Sequence, residues 1–297
     1  MSYKIKTKFS IKDLENLSGI KAHTIRIWEK RYNLLNPDRT STNIRNYNTT
    51  SLKRLLNISY LNNKGLKISQ IACLNDEEIN IKVNEFIISQ GLNDHAHNLF
   101  KMAMLNFDKV LFNNTYNQLL SELSFREIFT NTFARLFDDI GILWQTDTIL
   151  PVHEHFISNL VKQKIFLNIE KSEPLDISKK MTYVLFLPDH EIHEIGLLFI
   201  YSELIMRGYH AIYLGQSVPM SSLEELQNVF TNVEFISYFT IAPTTKEVSK
   251  YLLDIQEKIL SGRNQNLHIL GRNTNSNMIT NKNIKVHKNS SDLLKHI

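Results

Sequence analysis

The sequence contains one cysteine, Cys73, in a chain of 297 residues. A single cysteine cannot form a disulfide within the chain, and it cannot supply the several thiolates of a cysteine-built metal site. The scarcity of cysteine therefore favours a reducing compartment, for which the cytoplasm is the expectation. It also excludes the class of metal sensors that depends on a set of cysteines.

Long apolar runs are absent as well. No stretch approaches the roughly 20 apolar residues that a membrane-spanning helix needs, and the segment Met1 to Lys6 lacks the apolar centre of a signal peptide. We therefore expect no membrane partner. The chain shows no internal repeat, and its 42% apolar and 22% charged residues are typical of folded globular proteins. Its length favours two or more domains.

Acidic charge is scarce in the first quarter of the chain. Residues 1–67 hold 14 Lys and Arg against 4 Asp and Glu, a balance of +10, whereas the remainder holds 20 against 26, a balance of −6. A basic segment joined to an acidic remainder predicts that phosphate groups bind at one end and another ligand or partner at the other.

Residues 10–32 predict two short helices around a glycine turn. Ser10 and Asp13 stand at the positions of a capping box, Gly19 ends the first helix, and the second is expected over Ala22–Tyr32. Two such helices are typical of a helix-turn-helix. The exposed face of the second would hold His23, Thr24, Arg26, Lys30 and Arg31. These residue types suit phosphates and base edges, although the residues alone also allow a solvated basic helix on a helical bundle.

A polar segment over residues 36–47 follows, and then an amphipathic helix from Ser51 to Asn62. With residues 24–32, this segment resembles the winged helix-turn-helix of MerR-type transcription regulators, whose wing ends in Arg-x-Tyr. Residues 65–71 are similar to the last short helix of that domain. The resemblance implies a DNA-binding domain over residues 1–75 with duplex DNA as its partner. The residues implied to bind DNA are His23, Thr24, Arg26, Arg31, Arg39, Arg45 and Tyr47.

Glycine and proline are rare between residues 76 and 170, where apolar residues recur at helical intervals. Breaks near Gly91, Asn106 and Leu123 predict four helices, so residues 76–170 are expected to form a four-helix bundle. Most of its aromatic side chains are expected in the core.

Residues 171–180 form the expected linker to a last domain over residues 180–297, where strand-like and helix-like runs alternate. This alternation predicts a parallel sheet of five strands in a Rossmann-like α/β domain, with helices on both faces. The predicted strands are Met181–Leu187, His210–Gly215, Phe235–Thr240, Leu267–Gly271 and Ile284–Lys288. The predicted helices are Glu194–Met206, Ser221–Phe230, Thr244–Leu260 and a short one from Ser291. The fold class is thus multidomain, α and α/β.

A polar cluster, Asp-His-Glu-Ile-His-Glu-Ile-Gly over residues 189–196, follows the first of these strands. Open α/β sheets bind their ligands in such loops. The residues alone leave two other interpretations open. One is a solvated connection between strand and helix. The other is a zinc or iron hydrolase site built from His153, Glu154, His155, His190, Glu191 and His193. The basic amino-terminal domain disfavours the enzyme, so we expect no catalytic residues.

This loop, as Glu191-x-His193-x-x-Gly196, resembles that of cobalamin-binding domains. The resemblance covers about residues 180–297. It implies that His193 is the metal ligand, replacing the cofactor's own base on cobalt, and that Glu191 fixes the imidazole. The further cofactor-binding residues are Gly196, Gly215, Ser237 and Gly271, of which Ser237 and Gly271 are expected to leave room for the nucleotide tail. Arg272 stands where the family often has a second glycine. A regulator that has lost the cofactor and only oligomerises is therefore a further alternative.

Trp144 at the end of the bundle is followed after nine residues by Glu154 and His155. This spacing resembles the helical cap of cobalamin-dependent MerR-type photoreceptors, in which the three side chains cover the upper axial face of the cofactor. It implies a repressor that binds adenosylcobalamin, assembles as a dimer or tetramer on operator DNA in darkness, and dissociates when light breaks the cobalt–carbon bond. Gln145 stands where light-sensing members can carry a histidine.

Overall fold

The structure is a computed structural model that describes residues 8–90, 93–171, 181–226, 229–230, 232–262, 265–274 and 282–297. Nearly all of the expected linker and the break expected near Gly91 lie outside these residues. The chain forms two compact units, Met1–Leu160 and Val161–Ile297. None of the described helices combines the length and the apolar character that crossing a membrane requires.

The first unit begins with a small domain of helices and short strands. Its elements are β1 (Lys8–Phe9), α1 (Ile11–Ser18), α2 (Ala22–Tyr32), β2 (Asp38–Arg39), β3 (Arg45–Asn48), α3 (Thr49–Asn63) and α4 (Ile68–Ile71). Ser10 and Asp13 form the predicted capping box, and Gly19 ends α1 at a φ of 74°, which suits glycine. β3 pairs antiparallel with both other strands, and the β2–β3 hairpin, with the turn between its strands, is the wing.

Six further elements follow in the first unit, and the last continues into the second. They are α5 (Asp76–Gln90), α6 (Asn93–Asn106), α7 (Lys109–Leu120), α8 (Phe125–Ile128), α9 (Ala134–Gln145) and α10 (Pro151–Glu170), with a π-helical turn at Phe129–Phe133 joining α8 to α9. The bundle core is aromatic as expected. The ring of Phe100 lies 5.0 Å from that of Phe112 and 5.2 Å from that of Phe133, and all three are fully buried.

The start of the bundle differs from the prediction. Helix α5, expected as its first helix, packs instead against α3 of the preceding domain. Arg54 of α3 pairs with Asp76, and Asn57 donates to Asn80 at 3.0 Å. Within the first unit the bundle therefore begins at α6, which packs against α7, the π-helical turn and α9.

The second unit holds the predicted five-stranded parallel sheet, in the order β5-β4-β6-β7-β8. Its further elements are β4 (Thr182–Phe186), α11 (Ile195–Met206), β5 (His210–Gly215), α12 (Met220–Leu226), β6 (Val233–Tyr238), α13 (Val248–Ile255), β7 (Leu267–Leu270), β8 (Ile284–Val286) and α14 (Ser290–His296). A π-helical turn at Gln256–Leu260 follows α13. One core cluster includes residues of α12 and α13 and another residues of α11 and α14, so helices cover both faces of the sheet.

The strand order places β4 between β5 and β6, and this determines where a ligand site is expected. The chain leaves β4 toward β5 on one side and later returns to β6 on the other. Connections therefore diverge at the carboxyl ends of β4 and β6, which opens a crevice where doubly wound sheets bind ligands.

Burial also determines how the fold responds to acid. His287, at the end of the sheet, is 5% exposed. Desolvation, with the neighbouring His268, lowers the pKa of His287 to about 4. The unfolded chain binds a proton at this position near pH 6.5, whereas the folded chain does not. The stability associated with neutral His287 is therefore lost as the pH falls from about 6.5 toward 4.

We predict that lowering the pH from about 7 to 5 reduces the free energy of unfolding by roughly 2 kcal/mol through His287 alone. Urea unfolding followed by circular dichroism at both pH values measures this loss. The variant His287→Asn should lose less stability over this range. His23→Asn is the matched control, because that side chain is exposed on α2 in the other unit. Equal losses in wild type and His287→Asn would contradict the prediction.

Candidate functional site

The carboxylate of Glu191 lies at the crevice between β4 and β6 and is fully buried. Its Oε1 accepts hydrogen bonds from the backbone amides of Ile192 (2.9 Å) and His193 (3.0 Å). Its Oε2 accepts from three consecutive amides in the loop after β6, those of Thr240 (2.9 Å), Ile241 (2.6 Å) and Ala242 (2.9 Å). One side chain thus connects the two loops that border the crevice.

These bonds keep the carboxylate ionised although it is buried. Burial alone would raise the pKa of Glu191, but the hydrogen bonds from His193 and from the backbone amides outweigh burial and hold the pKa at about 2. Glu191 therefore carries a negative charge at neutral pH.

His193 is oriented by this charge. Its Nδ1 lies 2.5 Å from Oε1 of Glu191, and its side chain is 33% exposed. An ionised carboxylate only accepts hydrogen bonds, so Nδ1 carries the proton and Nε2 is the nitrogen with which the ring would ligate a metal. A carboxylate behind a histidine is the usual arrangement for such a ligand, because it fixes the tautomer and the ring orientation.

A second set of bonds connects the loops after β4 and β5. Ser217 Oγ accepts from the amide of His190 at 3.1 Å and donates to Asp189 at 3.0 Å, and the amide of Ser217 donates to the carbonyl of Glu191 at 3.2 Å. His190 is exposed in this loop. Gly215 ends β5 at a φ of 82°, a conformation that favours glycine at this turn.

The small residues of the predicted site make close contacts in the sheet. A Cβ at Gly196 would lie 2.9 Å from the ring of Tyr238, and one at Gly271 would lie 2.1 Å from the carbonyl oxygen of Phe239. Ser237 Oγ donates to the carbonyl of Phe186 at 2.9 Å. These contacts explain why large side chains are excluded here. Room for a nucleotide tail stays a prediction.

Two apolar side chains that sequence reasoning missed flank Glu191. Ile192 is 57% exposed and Ile241 is 54% exposed, although both adjoin the most polar part of the domain. The sequence could have indicated Ile192, because it is an apolar residue within a loop of charged residues. Exposed apolar side chains beside a histidine ligand suit a large apolar ring.

The residues of the predicted cap belong to the first unit. Trp144 lies in the last turn of α9 and is 51% exposed, while Glu154 and His155 lie in the first turns of α10 and reach the surface. The exposed indole offers an apolar face that a bound aromatic or corrin ring could cover. The contact of these three residues with a cofactor stays a proposal.

The alternative of a hydrolytic metal site loses support. His153, one of its six residues, is buried, stacks on Phe107 at 4.9 Å, and accepts the amide proton of Leu150 at 3.1 Å. Across the described ranges, no group of three His, Cys, Asp or Glu side chains is placed to hold a metal ion.

The predicted DNA-binding residues lie on α2 and on the wing. His23, Arg26 and Arg31 are exposed on α2, Thr24 is half-buried there, and Arg39 is exposed on β2. The exposed side chains lie on one helix and one hairpin. This arrangement suits contacts with the backbone and the base edges of a DNA duplex.

Tyr47 was expected to contact DNA, but the structure places it in the interior of the domain. Its side chain is 1% exposed, and its hydroxyl donates to Glu29 of α2. Arg45, two residues earlier, donates through Nε to the same carboxylate at 3.1 Å. Because a buried ring cannot reach a phosphate, Tyr47 holds the wing instead of contacting DNA. Glu29 was missed, although it is the one acidic residue in the sequence of α2.

The donor set of the crevice fits one axial position of cobalt. It offers an imidazole with a set orientation, a buried anion behind it, and apolar side chains beside it. When bound there, a cobalamin would be held by His193 and would lie against Ile192 and Ile241.

Comparisons with known proteins agree with both regions. A family model of the MerR HTH family regulatory protein matches residues 9–77, and a model of the B12 binding domain matches residues 97–167. The second match begins in α6, which agrees with the bundle as the structure defines it. The chain therefore carries a MerR helix-turn-helix domain and a B12-binding domain.

Two relatives extend these matches. The HTH-type transcriptional repressor CarH of Myxococcus xanthus is 27% identical over 238 residues, which is 78% of this chain and 78% of that protein. The monomethylamine corrinoid protein of Methanosarcina barkeri has a similar structure, with a TM-score of 0.56 and 14% identity over 66% of this chain and 94% of that one. The second similarity shows a shared fold. These findings confirm the predicted fold class and cobalamin as the cofactor.

We predict that His193→Ala abolishes or greatly weakens the retention of cobalamin during gel filtration, because it removes the oriented axial nitrogen. His190→Ala is the matched control and should retain the cofactor, since His190 is exposed and bonded through its backbone amide. The absorbance of the corrin in the protein peak measures retention. Equal retention by wild type and His193→Ala would exclude the assignment.

We also predict that the affinity of the chain for duplex DNA falls steeply with salt, with a log–log slope of about −0.9 for each phosphate neutralised. The double variant Arg39→Ala, Arg45→Ala should bind DNA more weakly. Its slope should be shallower by up to about 1.8, which corresponds to two lost phosphate contacts. Fluorescence anisotropy with a labelled duplex from the chain's own promoter region measures both. A flat salt dependence, or undiminished binding by the double variant, would exclude the wing as a DNA contact.

Proposed function

We propose that this chain, which joins a MerR helix-turn-helix domain to a B12-binding domain, is a transcription repressor whose affinity for operator DNA is set by bound cobalamin. The observation that carries the proposal is the imidazole of His193, held at 2.5 Å by a fully buried, ionised Glu191. We further propose that the chain is a regulator without catalytic activity and that it works in the cytoplasm.

The form of the cofactor in this proposal is adenosylcobalamin. When bound, it supplies a cobalt–carbon bond that light breaks. Trp144, Glu154 and His155 are assigned to the upper axial group, and His193 to the lower face. Among these residues, Trp144 has the largest apolar side chain. Because it is 51% exposed, its indole is accessible to the cofactor. The similarity to CarH supports a repressor of this kind.

Contacts within the first unit support a route from the cap to the DNA-binding domain. Thr148, in the turn after Trp144, is fully buried, and its Oγ1 accepts a hydrogen bond from Asn16 of α1 at 2.9 Å. A displacement of Trp144 therefore acts on the turn that is bonded to α1.

A buried lysine strengthens this connection. Lys101 of α6 is 6% exposed, pairs with Asp139 of α9, and donates to the carbonyl of Leu17 in the last turn of α1 at 3.4 Å. A cation at the carboxyl end of a helix interacts favourably with the helix dipole. Because Lys101 is compensated both by Asp139 and by this carbonyl, separating α1 from the bundle would leave a buried charge with fewer partners.

Control by the ligand requires that it prefer one assembly state. Moving an equilibrium from roughly 1:99 to 99:1 takes about 5.5 kcal/mol. Burying a large aromatic side chain contributes about 1.5–3 kcal/mol, and such contributions add over the subunits of an oligomer. Because Trp144 is 51% exposed, covering it contributes about half of that per subunit, so roughly four subunits at the upper figure are needed to reach the required differential.

The alternative in which the cofactor has been lost and the α/β domain serves only assembly is less well supported. The backbone bonds of Glu191 would also serve a domain without a cofactor, but its further hydrogen bond fixes a partly exposed imidazole, which in such a domain would have no ligand to bind. The exposed side chains of Ile192 and Ile241 would also lack a partner of apolar character. Both features agree with cofactor binding.

We predict that adenosylcobalamin raises the oligomeric state in darkness and that illumination lowers it. Trp144→Ala should uncouple the mass from illumination while some cobalamin stays bound through His193. Light scattering on dark and illuminated samples measures the mass, and Val110→Ala, whose side chain is 69% exposed on α7, is the matched control.

Identical masses in darkness and after illumination would exclude the light switch, and Gln145 is the residue that would then explain the difference from light-sensing relatives. Operator affinity with and without cobalamin in darkness tests the remaining proposal. Equal affinities in that experiment would exclude control by cobalamin itself.

A further inference from the structure

Helix α2 carries a single acidic residue in its sequence, Glu29, among the basic residues expected to face DNA. A carboxylate near a phosphate backbone opposes binding, since electrostatic attraction to phosphates supplies much of the affinity of DNA-binding proteins. The side chain of Glu29 is nevertheless only 8% exposed, so it is not a solvated surface charge. Its position therefore requires a structural or functional reason.

The contacts of Glu29 lead to the wing. Oε1 accepts a hydrogen bond from the hydroxyl of Tyr47, and Oε2 accepts one from Nε of Arg45 at 3.1 Å. Both partners belong to β3, and the ring of Tyr47 is buried. Burial, together with this hydrogen bond, raises the pKa of Tyr47, so its hydroxyl stays protonated as a donor. One carboxylate thus connects α2 to the wing through two charge-assisted hydrogen bonds.

The ion pair also determines which part of Arg45 is presented. Glu29 engages Nε, and no side chain or carbonyl in the described part of the chain bonds Nη1 or Nη2 of Arg45. The side chain is 30% exposed, so the guanidinium reaches solvent with its orientation set. A guanidinium held in place loses less conformational freedom on binding a phosphate than one that moves freely.

The register of the wing extends this effect to a second arginine. Arg39 of β2 lies directly opposite Arg45 of β3. Glu29 holds β3 against α2. It therefore positions Arg45 directly and Arg39 through the pairing of β2 with β3.

We propose that Glu29 is a positioning residue of the DNA-binding surface, which holds Arg45 and the wing in the orientation that binds the phosphate backbone, without touching DNA itself. The inference rests on the proposed function only in requiring that residues 8–75 bind duplex DNA.

The test is the affinity of the full chain for a labelled duplex from its own promoter region, measured over a range of salt. Removing an acidic side chain from a DNA-facing helix should by simple electrostatics tighten binding. Positioning predicts the opposite: Glu29→Ala weakens binding roughly tenfold or more, and the salt slope becomes shallower by about 0.9, as for one lost phosphate contact. Asp38→Asn, an exposed acid on β2, is the matched control and should bind as tightly as wild type or tighter.

A double-mutant cycle distinguishes positioning from a general loss of structure. Arg45→Ala should weaken binding in the wild-type chain but cause little further loss in Glu29→Ala. Glu29→Gln, which keeps one acceptor oxygen without the charge, should give an intermediate affinity. If Glu29→Ala does not fold, Tyr47→Phe replaces it, because this change removes only the hydroxyl and leaves the buried ring. Circular dichroism checks that each variant is folded.

Undiminished or tighter binding by Glu29→Ala and by Tyr47→Phe, with an unchanged salt slope, would overturn the inference while leaving the proposed function intact. An equal cost of Arg45→Ala in both backgrounds would also overturn it. If the wild-type chain itself bound no duplex, the proposed function would fail, and the role of Glu29 with it.

Discussion

The second unit depends on one buried anion. Glu191 accepts five backbone hydrogen bonds, from two amides in its own loop and three in the loop after β6, and it holds the imidazole of His193. Without these bonds, burying a carboxylate would cost several kcal/mol, and the group would bind a proton instead. With them, the anion stays charged, joins the loops after β4 and β6, and sets the orientation of His193, the proposed metal ligand. The stability of the crevice and the chemistry of its histidine therefore have the same origin.

A buried carboxylate has a parallel role in the DNA-binding domain. Glu29 connects α2 to the wing through Arg45 and Tyr47, as Glu191 connects two loops of the sheet. In each case a buried carboxylate holds a neighbouring nitrogen-bearing side chain in one orientation. In the proposed function, phosphate and cobalt would each be bound by a nitrogen-bearing side chain whose orientation is set during folding. Within the first unit, Asn16 and Lys101 connect α1 to the bundle, so the DNA-binding domain and the helices that carry Trp144 share contacts.

Much of this architecture could be predicted from the sequence, because local patterns encode it. Each signal depends on residues that are close in the sequence. Examples are the capping box at Ser10, the strand-helix alternation after residue 180 and the loop histidine. Packing between segments that are distant in the sequence was harder to predict from local patterns. The sequence pattern assigned α5 to the bundle, whereas Asp76 and Asn80 bond to α3. Tyr47 was expected at DNA, but it is buried, and the carboxylate that accepts its hydroxyl proton lies 18 residues away on α2. The amides at 240–242 carry no side-chain signal, so their bonds to Glu191 could not be inferred.

The central claim is that an imidazole oriented by Glu191 binds cobalt in place of the cofactor's own base. Electron paramagnetic resonance of the chain loaded with cob(II)alamin tests it most directly, because an axial nitrogen splits the cobalt lines according to its nuclear spin. Protein labelled with ¹⁵N-histidine should convert the triplet splitting of ¹⁴N into a doublet, and Glu191→Gln should weaken or broaden that doublet. A triplet that is unchanged by the label would show that the cofactor's own base stays on cobalt, and this result would contradict the account.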